Sequence, residues 1–412
     1  MTGIYSAASA TINDDLRIPA SSSTSSSPAQ VSCGDIARFI SGKVLGLVAS
    51  DSGSAASNRT IIQAALNSRA VVYIDTPGIY YVDSTLTIGA NTSLIGVQGV
   101  TLKNTTGKNS SVLKNKNTSS VVDTNIYVSD IIFDGDKSNQ TTNFSTVDLA
   151  YVEYAKLERC QFNGALRTGT YPSVSSNGEG IVLRHCRYVD VIDCHAKDNT
   201  YDGFKTRTSF DCTFTNITAT DNGRAGIQIS YDISGSPADG SERIVVNGIT
   251  VNHSSGTPSA AAPSTTGVYF HGASRCTVNN VNVKGTWEGI GLVDSSKYNV
   301  ISNATLRTVH STNEASIAFD GLNADGNVIS NFTITPLSGE SGNYIRFYGD
   351  SAYNRVSNGI LELGGGTGTW AVDLVASGMS CDWNQVTDIV SISGYSTSDT
   401  GSNNTVSIVD AS

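Results

Sequence analysis

Charged side chains are scarce in this sequence. Asp, Glu, Lys and Arg make up only 15% of 412 residues, and the net charge is −10. An acidic excess repels nucleic-acid phosphates, so no nucleic-acid partner is expected. Long apolar runs are missing too. Nothing approaches the ~18 apolar residues of a membrane span, and the most apolar early segment, 39–49, is interrupted by Lys43. No membrane insertion is expected. The opening MTGIYSAASA has neither the basic start nor the apolar core of a secretion leader. Work outside a cell would then require another way out, such as release inside a virus particle. The seven cysteines are odd in number and form no CxxC pair, which points to free thiols and away from metal. Cys160, Cys194, Cys212 and Cys276 hold fixed offsets in the repeat described next, and are expected to face a core. No metal or cofactor is expected.

Glycine is abundant (40 residues), and so are Ser, Thr and Asn. They punctuate a weak repeat of about 23–34 residues that runs from residue 126 to the C-terminus. One half-motif is an apolar alternation around a small polar residue. It reads VSDII at Asp130, FTNIT at Asn216, VVNGITV at Asn247 and TVNNVNV at Asn280. It returns at Asn303, Asn331, Asn358 and Asp388. The other is a glycine followed by alternating apolar residues: GIVL at Gly180, GFKT at Gly203, GIQI at Gly226, GVYF at Gly267 and GIGL at Gly289. A fixed period with internal period-2 alternation predicts an all-β solenoid, which grows without needing a new core. Residues one period apart then stand in columns about 4.8 Å apart.

The chain divides into an arm at 1–50, a cap with the first turns at 51–125, and the solenoid at 126–412. The first ~32 residues are rich in Ser, Thr and Ala and cannot fold alone; they are either a disordered tail or an arm that orders on a partner. The stretch NRTIIQAALNSR predicts a short amphipathic helix with Ser57 or Asn58 as its N-cap. Three short strands should follow within residues 71–96, split by Pro-Gly and Gly-Ala-Asn turns. A helix at the open end of a solenoid would act as its lid.

The segments Ile61–Asn67, Val72–Ile74, Pro77–Tyr80 and Leu94–Gly96 resemble the N-terminal cap of the pectate-lyase-like right-handed parallel β-helix family. That family includes alginate epimerases and lyases, polygalacturonase-like enzymes and many bacteriophage tailspikes. The likeness extends over about residues 58–400 and implies a right-handed parallel β-helix with a short N-terminal capping helix. The family's GDGxxDD-type stretch before the cap helix is reduced here to Asp51 and small residues through Ser57. In alginate epimerases a Tyr-Gly-Phe-Asp-Pro-His motif carries the chemistry. Val182 stands at its aspartate position and Arg184 at its histidine position. His185 is one residue late and should face the other way. Epimerisation by that mechanism is therefore excluded.

The columns offer other chemistry. Glu179 and Asp202 each precede a repeat glycine and are 23 residues apart. As column neighbours they would be two carboxyls about 5 Å apart, the spacing of a retaining glycosidase, and are the candidate catalytic pair. The outward positions of the same strands carry Arg184, then Lys205 and Arg207, then Tyr269 and His271. This positive patch could clamp an acidic polysaccharide, or supply a base beside a uronate carboxyl; alternatively it is spent on ion pairs with Asp202, Glu179 or Asp211. Tyr269 and Trp287 could stack on sugars, although Trp287 could equally be a packing residue. Asp232, Asp239 and Glu242 are reserve acids, and the insertions 234–241 and 254–266 could wall a groove. The preferred function is a viral tailspike or appendage that binds and depolymerises a bacterial surface polysaccharide. By resemblance it would be a homotrimer in the virion tail, otherwise extracellular, its N-terminal arm docked on other tail proteins. The alternatives are a cellular polysaccharide lyase, hydrolase or epimerase, and a non-catalytic adhesin.

Overall fold

The computed structural model describes residues 46–117, 121–168, 177–231, 240–254, 265–308, 315–335, 343–362, 371–375, 381–392, 397–399 and 402–411, with Val44, Ser119 and Leu337. Of the expected arm at 1–50, residues 1–43 and 45 lie outside them. Within the unit Gly42–Ser412, every ladder between described strands is parallel, as a coil of successive rungs requires. The strands form two sheets, one of 12 strands and one of 17.

The narrow 12-stranded sheet is built from the glycine half-motif. Its central strands are Ile181–Arg184, Phe204–Arg207, Ala225–Ser230, Thr266–His271 and Glu288–Val293. The wide sheet is built from the Asn/Asp half-motif, in strands such as Thr213–Thr220, Val245–Asn252 and Thr277–Lys284.

The wide strands bend in the middle, and the bend explains the small polar residue. Asp130, Asn216, Asn280, Asn303, Asn331, Asn358 and Asp388 all have φ between +51° and +60°. This left-handed conformation costs an ordinary residue about 1–2 kcal/mol, whereas Asn, Asp and Gly tolerate it. At one rung the sequence reading is off by a residue. Thr215 pairs with Asn247 and Ile217 with Ile249, so Gly248, with φ +85°, occupies the bend opposite Asn216. Glycine fits the same backbone, and Asn247 is left with ordinary strand geometry.

Between the sheets runs one continuous core. Val278, Val281 and Val283 enter it from the wide sheet, and Ile290 and Leu292 from the narrow one. Each such side chain contributes on the order of 1.5–3 kcal/mol. Phe133, Phe162, Phe204 and Phe214 run through it with ring centroids 6.1–6.2 Å apart. The four cysteines expected to face the core are buried in it as free thiols. A second interior column is polar and was not anticipated: Asn299, Asn327, Asn354 and Asn384. Each of the first three donates its Nδ2 to the Oδ1 of the next at 3.0–3.1 Å, which keeps these buried amides satisfied.

The cap helix spans Ala55–Ser68, starting earlier than expected, and turns Ile62, Ala65 and Leu66 into the core. Neither Ser57 nor Asn58 caps it. The preceding 3₁₀ turn Ser52–Ser54 is capped by Asp51, which accepts from the Gly53 N–H at 2.8 Å. Asn58 lies inside the helix, where its amide pairs with the main chain of Val48 in both directions at 2.9 Å. Where three strands were expected there are four, Val71–Ile74, Gly78–Val82, Leu86–Ile88 and Ser93–Asn104, because the middle one breaks after Val82.

Candidate functional site

On the narrow sheet the 23-residue spacing is one rung. Ile181 pairs with Phe204, Val182 with Lys205 and Arg184 with Arg207. Above them Lys205 pairs with Gln228, and Gln228 with Tyr269; Arg207 pairs with Ser230, and Ser230 with His271. Ile181 and Leu183 fill the core, so the alternate residues emerge on the outer face, as the alternation predicts.

The expectation of a solvent-facing basic patch is corrected, because Lys205 is only 3% exposed and Arg207 5%. Both turn toward the residues that precede the repeat glycines. Lys205 Nζ lies 3.2 Å from Glu179 Oε1 and 3.3 Å from Asp202 Oδ2. Arg207 Nη2 donates to Glu179 Oε1 at 2.8 Å. The Ser145 hydroxyl donates to the other Glu179 oxygen. Asp202 accepts from the Ala225 N–H at 3.2 Å and faces Arg224 Nη1 at 3.9 Å.

Tyr201 packs beside this cluster. The Arg167 guanidinium sits 4.1 Å from its ring centroid, Arg224 4.8 Å and Lys205 Nζ 5.0 Å, all within cation–π range. Arg224 also lies 4.4 Å from the Tyr269 ring and donates to Gln228 Oε1 at 2.9 Å. Gly178 makes room for Arg167: at φ +116°, a Cβ there would lie 2.7 Å from Arg167 Cβ.

Lys205, Arg207 and Arg224 therefore approach two buried carboxylates, with Arg167 over the adjacent Tyr201 ring. Burial pushes the Glu179 carboxyl up, but the charges of Lys205 and Arg207 and the Ser145 hydroxyl outweigh it and hold the group below its ordinary range. Burial, reinforced by Arg207, brings the Lys205 ammonium down to about 8 against the pull of Asp202 and Glu179. Burial also raises the Tyr201 phenol to about 12. Among the described residues Asp202 Oδ2 and Arg207 Nε have no hydrogen-bond partner; the 3.3 Å approach of Lys205 to Asp202 is an ion pair without hydrogen-bond geometry. Buried polar atoms are rarely left so, and exceptions concentrate where function requires them.

Other anticipated residues are not drawn into this cluster. Arg184 turns instead to Asp148 in a bidentate pair at 2.7–2.9 Å, with Lys114 at 3.4 Å on the same carboxylate. His271 meets Asp294 at 3.1 Å and the Tyr231 ring at 4.6 Å. Trp287, half-buried, precedes Glu288, three rungs along from Asp202. His185 does not face inward on a strand: the strand ends at Arg184, and His185 turns the corner with φ +52° to stack on Tyr151 at 4.8 Å. Of the reserve acids, Glu242 pairs with Arg243 and Arg275 at 2.9 and 3.2 Å. Asp232, Asp239 and most of both expected loop walls lie outside the described residues. Among the described residues, no group of three or more His, Cys, Asp or Glu is placed to hold a metal, and no helix is long and apolar enough to cross a membrane.

Ser145, Asp148, Arg167, Tyr201 and Arg224 were not anticipated. Two of them carried a signal. Tyr201 and Arg224 are 23 residues apart, one position before the Asp202 column.

The chain belongs to the right-handed β-helix family, whose right-handed β-helix region matches residues 46–306. A comparison with curated protein sequences finds no match. Among solved structures it is similar to the A-module of a mannuronan C-5 epimerase from Azotobacter vinelandii, at 17% identity and TM-score 0.60, covering 90% of this chain and 99% of that one. It is also similar to gene product 12 of bacteriophage phi29 in its pre-mature form, at 16% identity and TM-score 0.62, over 89% of this chain and 56% of that one. A third is the catalytic domain of a GH87 α-1,3-glucanase in complex with nigerose, at 12% identity and TM-score 0.57, over 90% and 68%. At these identities the likeness concerns the fold.

Proposed function

We propose that this protein binds and cleaves an acidic bacterial surface polysaccharide from the tail of a bacteriophage, by elimination at a uronate residue. The carrying observation is Lys205, a buried amine whose proton affinity is brought to about 8 beside two carboxylates and an excess of arginine. A group that titrates near working pH can act as a proton acceptor. Arg207, whose Nε has no partner among the described residues, and Arg224 would hold the substrate carboxylate. The neutral Lys205 amine takes the proton from the carbon beside that carboxylate. The released electron pair forms a carbon–carbon double bond, the bond to the neighbouring sugar's oxygen breaks, and that oxygen takes a proton from water. Glu179 and Asp202 position and tune Lys205 in this reading. Hydrolysis with Glu179 as the acid would require a protonated carboxyl, which Lys205 and Arg207 oppose.

The carbohydrate and viral parts draw support from the likeness to a carbohydrate epimerase, a glucanase and a bacteriophage protein. A homotrimer, with the N-terminal arm docked on other tail proteins, completes the proposal by resemblance to tailspikes. The test is incubation with a panel of capsular and O-antigen polysaccharides, following fragment size and the ultraviolet absorbance of the new double bond. Fragments with that absorbance support elimination at Lys205. Fragments without it return the chemistry to Glu179 and Asp202 as a hydrolytic pair. A glycan that binds and stays intact makes the protein an adhesin.

A further inference from the structure

A groove lies on the wide sheet, away from the Lys205 cluster on the narrow one. It has a volume of about 650 Å³, in the range of ligand sites. Two columns two residues apart form its walls. One wall is Tyr154 and Tyr188, stacked at 5.0 Å and 13°. The other runs through Tyr127, Lys156 and Asp190, which are register partners on successive rungs. Ala155, a small buried side chain between the walls, keeps the floor low. With Asn125 at one end and Asp211 at the other, the groove spans four rungs, three spacings or roughly 14 Å.

The tyrosine wall is held at a conformational cost. Tyr154 and Tyr188 have φ of +57° and +52°, in the left-handed region disfavoured for aromatic residues. The whole column shares this conformation, with Asn125, Asp211, Gly326 and Asn403 suited to it and Arg243, Arg275, Tyr298, Tyr353 and Trp383 held in it as the two tyrosines are. Yet Tyr154 and Tyr188 are 57% and 44% exposed, so core packing does not require them.

We infer that this groove is a binding site for a neutral oligosaccharide of two or three sugars, separate from the Lys205 site. A sugar presents apolar C–H surface and a rim of hydroxyls. The groove matches both, with tyrosine rings on one side and amide, phenol, ammonium and carboxylate groups on the other. Of its three charged side chains Lys156 and Asp211 are paired, and the Asp190 carboxylate repels an acidic glycan, which favours a neutral ligand. Lys156 pairs with Glu158 at 3.2 Å, and Asp211 with Arg243 at 2.6 Å. A second copy of the chain is a poorer occupant, because it would bury the Asp211–Arg243–Glu242 ion network, which protein interfaces avoid at their centres.

The test titrates the full-length protein with neutral gluco-, galacto- and manno-oligosaccharides, using polygalacturonate oligomers as the acidic comparison and saturation-transfer NMR as the readout. The variant Y154N/Y188N replaces both rings with a residue suited to the backbone. It should lose neutral-sugar affinity by about tenfold or more and melt at the same or a higher temperature. Y353N/W383N changes exposed rings further along the same column and should bind like the wild type. K205M should do so as well, which separates this groove from the cleavage site. The inference is overturned by undiminished binding in Y154N/Y188N, by a wild type that binds no neutral member, or by a change of oligomeric state in Y154N/Y188N that marks the groove as an interface.

Discussion

Lys205→Met tests the electrostatics of the site without reference to any substrate. A native ammonium brought from 10.5 to about 8, at ~1.36 kcal/mol per tenfold change in proton affinity, costs about 3 kcal/mol when charged. The side chain is 4% exposed, so solvent screening removes little of this. The sign follows from proton binding. Between pH 8 and 10.5 the unfolded chain holds this proton and the native protein does not, so stability rises with pH across that window. Below about pH 8 both states hold the proton, and the burial cost is fully present. The buried thiols act in the opposite direction. Burial raises Cys212 and Cys276 to about 12, so their unfolded thiolates favour unfolding above pH 9. That opposing effect is common to both proteins and cancels in their difference. Guanidinium unfolding of wild type and K205M from pH 7 to 10.5 should therefore give stability curves whose gap changes by about 3 kcal/mol. Curves that stay parallel within about 1 kcal/mol would show that Lys205 is not the strained cation described here. In the elimination reading, cleavage by the wild type rises with pH through about 8, and K205M does not cleave.

Glu179→Gln leaves Lys205 and Arg207 without their shared carboxylate; it should lose about 3–5 kcal/mol of stability, shift the cleavage limb below pH 8 and strongly reduce turnover, all readable from melting curves and pH–rate profiles. Gly285→Ala should lower the melting temperature by several degrees, because Gly285 has φ +79° and an added Cβ would lie 2.0 Å from the His253 carbonyl oxygen; unchanged melting would place that loop elsewhere. Cys160, Cys186, Cys194, Cys212, Cys276 and Cys381 are buried, and burial raises Cys381 to about 11. Native protein should therefore expose at most the seventh thiol, Cys33, to a thiol-titrating reagent, and all seven after denaturation.

The fold was legible because its two half-motifs each answer to a backbone requirement. The Asn/Asp positions mark the left-handed bend of the wide sheet, and the glycines precede the narrow strands. The error at Asn247 arose because Gly248 satisfies the same bend one residue later, and composition cannot rank the two. The cap helix was legible from its apolar spacing. Its start was not, because Asn58 resembles a cap in sequence but bonds to Val48, ten residues away. The columns of the candidate site could be read from a 23-residue spacing, and Tyr201 and Arg224 lie on that same spacing one position earlier. Arg167 could not be found this way. It reaches Tyr201 from outside the strand register, across a stretch of sequence with no repeat signal. Burial of Lys205 and Arg207 was hidden for the same reason: alternation assigns a side chain to a face of the sheet, not to what covers that face.

That cover bears on whether the cluster serves folding. The outer face of the narrow sheet does not need buried ions in order to stack. At equivalent rungs of the Lys205 column the chain carries Val182, Gly291 and Ala318, and the parallel ladder continues through all of them. Ion groups buried without complete pairing usually leave a protein no more stable than apolar side chains of similar size. Among the described residues Asp202 Oδ2 and Arg207 Nε leave the pairing incomplete. The combined variant E179L/K205M/R207M should therefore fold and be at least as stable as the wild type at pH 7, because Glu179 and its two cations go together and Asp202, which loses Lys205, keeps the Ala225 N–H and Arg224. It should bind and cleave no acidic glycan. Lower stability in the triple variant than in E179Q alone would mean that the cluster holds the coil together, and the chemistry would have to be sought elsewhere on the surface.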